Sequence, residues 1–284
     1  MRKILLTGAS GFVGKNILKS LLNKNVELKI VLRENSYLEG KYLENCVVKY
    51  VKDIFTIDYE WWLEELRDIE IVIHSAWYVK HGKYLMSEKN IDCYKGTIPL
   101  IEAASKANVC SFVGIGSCYE YDFRYCDKAL TPKTPLNPIT PYSFSKVSLL
   151  NALKANKRNH KMNYSWCRLF YLYGEGEDQN RLIPYIHNQI RDSKPVLLSS
   201  PSKIRDYMNI LKAAEIITYI ALNKMYGEHN ICSGEEKTLR QIAESIADQY
   251  GRRDLLNFNS KKLNKYDPEK IIGKPSEVVN KLIY

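Results

Sequence analysis

No apolar run in this sequence of 284 residues approaches the ~20 consecutive residues that a membrane-crossing helix needs, and no positively charged leader with an apolar stretch opens it. These absences predict a soluble, cytoplasmic protein with no membrane partner. The seven cysteines are odd in number and lack the paired spacings of a metal site. They sit mostly in apolar or mixed segments such as Asn45-Cys46-Val47 and Trp166-Cys167-Arg168, so reduced core thiols and no bound metal are expected. The chain also lacks internal repeats, low-complexity segments, arginine-rich helices and basic stripes interleaved with aromatics. Its formal charge of +10 comes from scattered lysines, densest at Lys261, Lys262 and Lys265. That distribution argues against nucleic acid and leaves an anionic small molecule as the expected partner.

What the chain does have is alternation. Short apolar runs take turns with longer helical patterns, as in βαβ units built on a parallel sheet. Strands are predicted at Ile4 to Thr7, Glu27 to Leu32, Val47 to Val51, Glu70 to Ile73, Ser111 to Ile115 and Tyr164 to Phe170. Beyond about residue 172 the rhythm loosens into helices near 181–192, 211–223 and 238–250 with short extended pieces between them. The last of these has a capping box, Thr238 with Gln241, and Gly251 follows it. The reading is an α/β protein: a doubly wound parallel sheet over 1–172 and, over 173–284, mainly a small α/β lobe with some chain returning to the first domain.

The stretch Thr7-Gly8-Ala9-Ser10-Gly11-Phe12-Val13-Gly14 follows the first strand and opens a helix. Glycines there allow a tight turn and let a pyrophosphate approach the unpaired N–H groups of the helix N-terminus. The spacing G-x-x-G-x-x-G, with Ser10, Phe12 and Val13 between the glycines, resembles the short-chain dehydrogenase/reductase superfamily, in particular its extended branch of nucleotide-sugar enzymes. The resemblance implies a Rossmann-like fold. The same superfamily carries Y-x-x-x-K, and Pro141-Tyr142-Ser143-Phe144-Ser145-Lys146 matches it. The pair also makes sense without the family. Thr140 as N-cap and Pro141 at the first helical position place Tyr142 and Lys146 one turn apart on one face, where a cation can draw the phenol's pKa toward the working range.

In the extended branch a serine or threonine ends strand five, four residues before a tyrosine, and Ser117 with Tyr121 reproduces that spacing. The resemblance makes Ser117 the third catalytic partner of Tyr142 and Lys146, donating to a substrate carbonyl oxygen. A strand-end serine can equally cap a turn. The 4,6-dehydratases of this branch carry an Asp-Glu pair directly after that residue. Here Cys118-Tyr119 stand instead and Glu120 is one position late, which leaves hydride chemistry without elimination.

Strand two ends in Val31-Leu32-Arg33-Glu34-Asn35-Ser36. Arg33 with Ser36 suits a 2′-phosphate, whereas Glu34 could serve ribose hydroxyls, so NADP(H) is favoured and NAD(H) stays open. The resemblance extends to further positions. Asp53 and Ile54 look like the adenine contact, and His74, Ser75 and Ala76 look like the segment that passes the cofactor ribose. Asn90, with Gly96-Thr97, resembles the following helix. Phe170, in the run Arg168 to Gly174, belongs to the strand-six signature that carries the nicotinamide end. As a side chain on an apolar strand, His74 reads as core. On the substrate side the resemblance points to Cys118, Tyr119 and Tyr171 around Ser117, and to Asn180, Arg181, Leu182 and Arg205 for a nucleoside diphosphate. Trp77-Tyr78, just beyond strand four near the cofactor, reads as a sugar-stacking pair of which Tyr78 is the pocket candidate. Trp61-Trp62 reads as a helix face packed on the sheet.

The resemblance implies a homodimer, formed through the helices after strands four and five, that acts on a nucleoside-diphosphate sugar. The favoured reaction is reduction of a 4-keto-6-deoxyhexose nucleotide in glycan biosynthesis. A nucleotide-sugar 4-epimerase with bound NAD and a catalytically inactive binding protein stay open. Arg33→Ala should raise the KM for NADPH much more than that for NADH in steady-state assays, and equal effects would overturn the cofactor assignment.

Overall fold

The computed structural model describes residues 1–159, 161–258 and 268–283. The lysine group Lys261, Lys262 and Lys265 lies outside the described residues. The first part of the chain runs β1 (Arg2–Thr7), α1 (Phe12–Leu22), β2 (Val26–Arg33), β3 (Cys46–Val51), α2 (Tyr59–Glu65), β4 (Ile71–His74), α3 (Lys89–Lys106), β5 (Ser111–Ser117), α4 (Pro141–Asn159) and β6 (Asn163–Leu169). The second part runs β7 (Tyr171–Tyr173), α5 (Leu182–Arg191), β8 (Val196–Leu197), β9 (Ile204–Arg205), β10 (Tyr207–Asn209), α6 (Ile210–Leu222), β11 (Gly227–Ile231), β12 (Lys237–Thr238), α7 (Leu239–Asp248), β13 (Leu256–Asn257), β14 (Lys270–Ile271) and α8 (Glu277–Ile283).

Seven strands form one parallel sheet in the order β11-β6-β5-β4-β1-β2-β3. Its strands are apolar on both faces because both are covered. Ile4 and Leu6 pack with Ile17, Leu18, Ile216 and Ile217 from α1 and α6, whereas Leu5 and Val72 pack with Trp62, Leu100 and Leu149 from α2, α3 and α4. Trp62 is thus core, and Trp61 meets it edge to face at 5.0 Å. A separate apolar cluster joins Ile186 and Ile190 of α5, Val196, and Ile242 and Ile246 of α7.

Two details differ from the sequence-based expectation. The strand expected to run to Phe170 ends at Leu169, because the Phe170 N–H still donates to Ile231 while the Tyr171 N–H donates to Asp206 and carries the chain into a second small sheet with β10. The seventh strand, β11, is a short piece without an apolar alternation of its own, supplied late in the chain and paired to β6.

The sheet reverses its winding between β1 and β4. The C-terminal ends of strands at such a switch point are where open α/β sheets bind ligands. Gly8 lies there with φ +75°, and a Cβ on it would meet Ala76 N at 2.5 Å; a Cβ on Gly14 would stand 2.0 Å from Gly8 O.

Under the end of β5 lies a buried charge cluster. Glu120 accepts from Arg168 Nε at 2.7 Å and from the Trp166 indole N–H at 3.0 Å, and both ionic side chains are fully removed from solvent. Arg168 also donates to Glu228 at 2.7 Å and lies 4.9 Å from the centre of the Tyr121 ring. Breaking such a pair leaves an uncompensated buried charge. Arg168→Met should lower the unfolding free energy in urea titrations by about 3–5 kcal/mol.

Candidate active site

The stretch Gly116 to Asp122 divides its residues between site and scaffold. Ser117 ends β5 and caps the one-turn helix Cys118–Glu120: its Oγ accepts from Tyr119 N at 3.2 Å, while Glu120 Oε1 accepts from Ser117 N at 2.7 Å. Glu120 thereby faces the Arg168 cluster. Tyr121 donates to Asn230 Oδ1 at 2.5 Å, and Asp122 binds the Arg124 guanidinium. Ser117, Cys118 and Tyr119 stay on the site side: the Ser117 side chain acts on the Tyr142 phenol, lowering its pKa against the larger effect of burial, and Tyr119 OH meets Tyr171 OH at 3.3 Å.

Tyr142 and Lys146 come from the first turns of α4. Thr140 Oγ1 accepts from Ser143 N at 3.1 Å, the cap that the sequence signals. Both side chains are buried, Tyr142 against the edge of Tyr84 at 4.9 Å and Lys146 with Nζ donating to Ile115 O at 2.8 Å. Burial acts on them in opposite senses. It pushes the Tyr142 phenol well above its usual 10.0 and Lys146 from 10.5 down to about 7. At neutral pH the site therefore holds a protonated phenol beside an amine poised to change charge.

The glycine loop fits a dinucleotide. Gly11 begins α1 with no side-chain cap and the first turn carries no acid, so the N–H groups of Phe12, Val13 and Gly14 are available to an anion, in a cradle that a Cβ on Gly14 would fill. Ser10 lies in the same turn, and Ser75 and Ala76, just after β4, pack against Gly8. Arg33 is exposed at the end of β2 with no side-chain partner among the described residues; Ser36 Oγ donates to Arg33 O at 2.7 Å. Asp53 caps the turn at Ile54, accepting from Phe55 N at 3.0 Å, and Ile54 is buried.

Other expected contacts are committed within the protein. His74 is held by Thr7 Oγ1 at 2.9 Å and Thr97 Oγ1 at 3.2 Å, and burial lowers its pKa to about 3, so its side chain belongs to the core. The Asn90 amide binds the carbonyls of Tyr84 and Ser87 and the Trp77 indole. Arg205 donates to the carbonyls of Ile204, Pro268 and Glu269. Its neighbour Asp206 clamps Ser233, Gly234 and Gly273. Asn180 turns to Asp178, Arg181 opens α5 ahead of Leu182, and Phe170 packs beside Tyr121, 6.5 Å between ring centres. Tyr78 lies under Lys89 at 5.3 Å, whereas Trp77 contacts Lys146. Sequence reasoning kept Tyr78 of the pair Trp77-Tyr78 for the pocket and did not single out Tyr84; the available signal was bulky aromatics in the segment after β4.

Because the Lys146 pKa lies below its unfolded value, the unfolded chain binds more protons between about pH 7 and 10.5. This group therefore makes stability rise with pH across that window. Lys146→Met removes that contribution, so its urea midpoint relative to wild type should be highest near pH 7 and fall toward pH 10.

The model of the NAD dependent epimerase/dehydratase family matches residues 4–232. A dTDP-6-deoxy-L-talose 4-dehydrogenase (NAD(+)) of Aggregatibacter actinomycetemcomitans is 24% identical over 95% of this chain and 98% of its own. A putative UDP-glucose 4-epimerase of Methanocaldococcus jannaschii is 24% identical over 88% and 83%. Among solved structures, a dTDP-glucose 4,6-dehydratase from Streptomyces venezuelae with NAD bound superposes with a TM-score of 0.82 at 20% identity, covering 99% of this chain and 91% of that one. The glycine cradle, the parallel sheet and the matched family pattern together make this chain a member of the NAD dependent epimerase/dehydratase family.

Proposed function

We propose that this protein is an NAD(P)H-dependent reductase of a nucleoside-diphosphate 4-keto-6-deoxyhexose, making a deoxysugar nucleotide. The observation that carries the reading is a buried, protonated Tyr142 under the influence of Ser117, with no free carboxylate on the turn that follows Ser117: Cys118 and Tyr119 stand next, and Glu120 is tied to Arg168 and Trp166. Water elimination at C5 and C6 needs an acid and a base there. Ketone reduction needs one proton donor and one hydrogen bond to the carbonyl. A relative named as a 4-dehydrogenase that covers nearly the whole chain supports the same chemistry.

When bound, the nicotinamide supplies a hydride to C4. Ser117 donates to the carbonyl oxygen and Tyr142 delivers the proton as negative charge develops on it. Lys146, poised near neutral pH, holds the cofactor ribose and stabilises the Tyr142 phenolate until it is reprotonated. The N–H groups of Phe12, Val13 and Gly14 take the pyrophosphate. Arg33 favours NADP(H), and NAD(H) stands beside it because Glu34 is also exposed at that strand end. The nucleotide sugar lies between the two parts of the chain, with Tyr78, Tyr119 and Tyr171 lining it from the residues up to 172 and Arg181 and Leu182 from the segment beyond. We place the enzyme in the cytoplasm as a homodimer; exposed Ile91 on α3 and Phe144 on α4 support that pairing.

A 4-epimerase with bound NAD is the second reading, supported by the 4-epimerase among the relatives. Purified protein mixed with NADPH or NADH and a panel of dTDP-, GDP-, CDP- and UDP-linked 4-keto-6-deoxysugars separates the two. Stoichiometric loss of reduced cofactor with one new deoxysugar nucleotide is the expected result. UDP-hexose interconversion without net cofactor loss would make it an epimerase, and neither activity would leave a binding protein.

A further inference from the structure

The closest neighbour of the Lys146 ammonium on the aromatic side is Trp77, a residue with no part in the scheme above. Nζ lies 3.5 Å from the centre of the Trp77 ring, against 5.9 Å for the Tyr142 ring. A buried ammonium has lost its water, and the negative face of an indole offsets part of that loss; tryptophan does so best among the aromatics. The ring is held in place. Its N–H donates to Asn90 Oδ1 at 2.9 Å, the Asn90 amide donates to Tyr84 O at 2.6 Å and Ser87 O at 2.8 Å, and Phe55 meets the ring edge-on at 6.3 Å. Tyr84 in turn meets Tyr142 at 4.9 Å. The segment from Trp77 to Asn90 therefore touches both members of the Tyr142–Lys146 pair.

We propose that Trp77 is a positioning residue whose indole face, fixed by Asn90, keeps the Lys146 ammonium charged and aligned with Tyr142. The inference rests on the roles given above to Tyr142 and Lys146. The other titratable groups facing Lys146 are His74 from β4, Cys93 from α3, Glu120 from the turn after β5 and Tyr142 from α4 itself. Burial keeps His74 neutral and pushes the Cys93 thiol up to about 11, Glu120 is paired with Arg168, and Tyr142 stays protonated. Lys146 is then the member of this group whose charge changes near neutral pH.

The test has two arms. In the first, Trp77 emission is isolated as the difference between wild type and Trp77→Phe and titrated from pH 5 to 9 without ligand. The expected result is a change centred near pH 7 that is absent when the titration is repeated in Lys146→Met. A difference spectrum that does not titrate, or that titrates equally in Lys146→Met, overturns the proposal. In the second arm, Trp77→Leu should move the limb on which turnover falls with rising pH about one unit lower, with the KM for the sugar little changed. Trp77→Phe, which keeps a ring face, should move it less. An unmoved limb in Trp77→Leu overturns the positioning role even if the emission titrates. If wild type turns over none of the panel sugars, the reductase reading falls by itself; the limb is then read on the pH dependence of NADH affinity, where an unmoved midpoint again overturns the proposal.

Discussion

The buried contact of Glu120 with Arg168 and Trp166 is the constraint on which the turn after β5 and the candidate site beside it rest. A carboxylate and a guanidinium with no solvent at either side chain are stable only when every lone pair and proton has a partner. Here the carboxylate also receives the Ser117 N–H, so the pair fixes the turn at which β5 stops being a strand. A Cβ on Gly116 would stand 2.3 Å from the Trp166 indole nitrogen and 2.5 Å from Glu120 Oε1, so the strand end must be bare for the cluster to close. Ser117 and Tyr119 are aimed by this packing.

The same burial sets the chemistry. Tyr142 and Lys146 begin with nearly equal solution pKa values and are driven apart by desolvation, because the charged form of one is an anion and of the other a cation. The separation leaves one group as a proton donor and the other as a switchable charge. Aromatic edges and faces from the segment after β4 close over both. The glycine turn after β1 is built on the opposite principle: an uncapped helix start, an exposed Arg33 and few side chains. Backbone N–H groups at such a helix start suit an anion, whereas at Tyr142 and Lys146 the desolvation of side chains sets the protonation states.

Much of this was legible in the chain. Period-two and period-3.6 patterns, the spacing of Gly8, Gly11 and Gly14, the Thr140-Pro141 start of α4, and the one-turn offset of Tyr142 and Lys146 are local properties, and local physics decides them. The six strands before residue 170 fell close to their expected ends for that reason. The Thr238–Gln241 capping box likewise needs no partner beyond its own helix. What local pattern could not supply was the destination of polar side chains. His74, Asn90 and Arg205 carry the family's pattern, yet their hydrogen bonds go to Thr7 and Thr97, to Tyr84, Ser87 and Trp77, and to the carbonyls of residues 204, 268 and 269.

The sequence by itself determined the parallel α/β architecture, the glycine turn after β1 and the one-turn offset of Tyr142 and Lys146, because each follows from spacing along one strand, one turn or one helix. Tertiary structure decided that β11, distant in the chain, completes the sheet, that Glu120 faces Arg168, and that Trp77 lies against Lys146. Each of these joins residues from different elements. Their free energy comes from removing water between surfaces that meet only once the chain has folded.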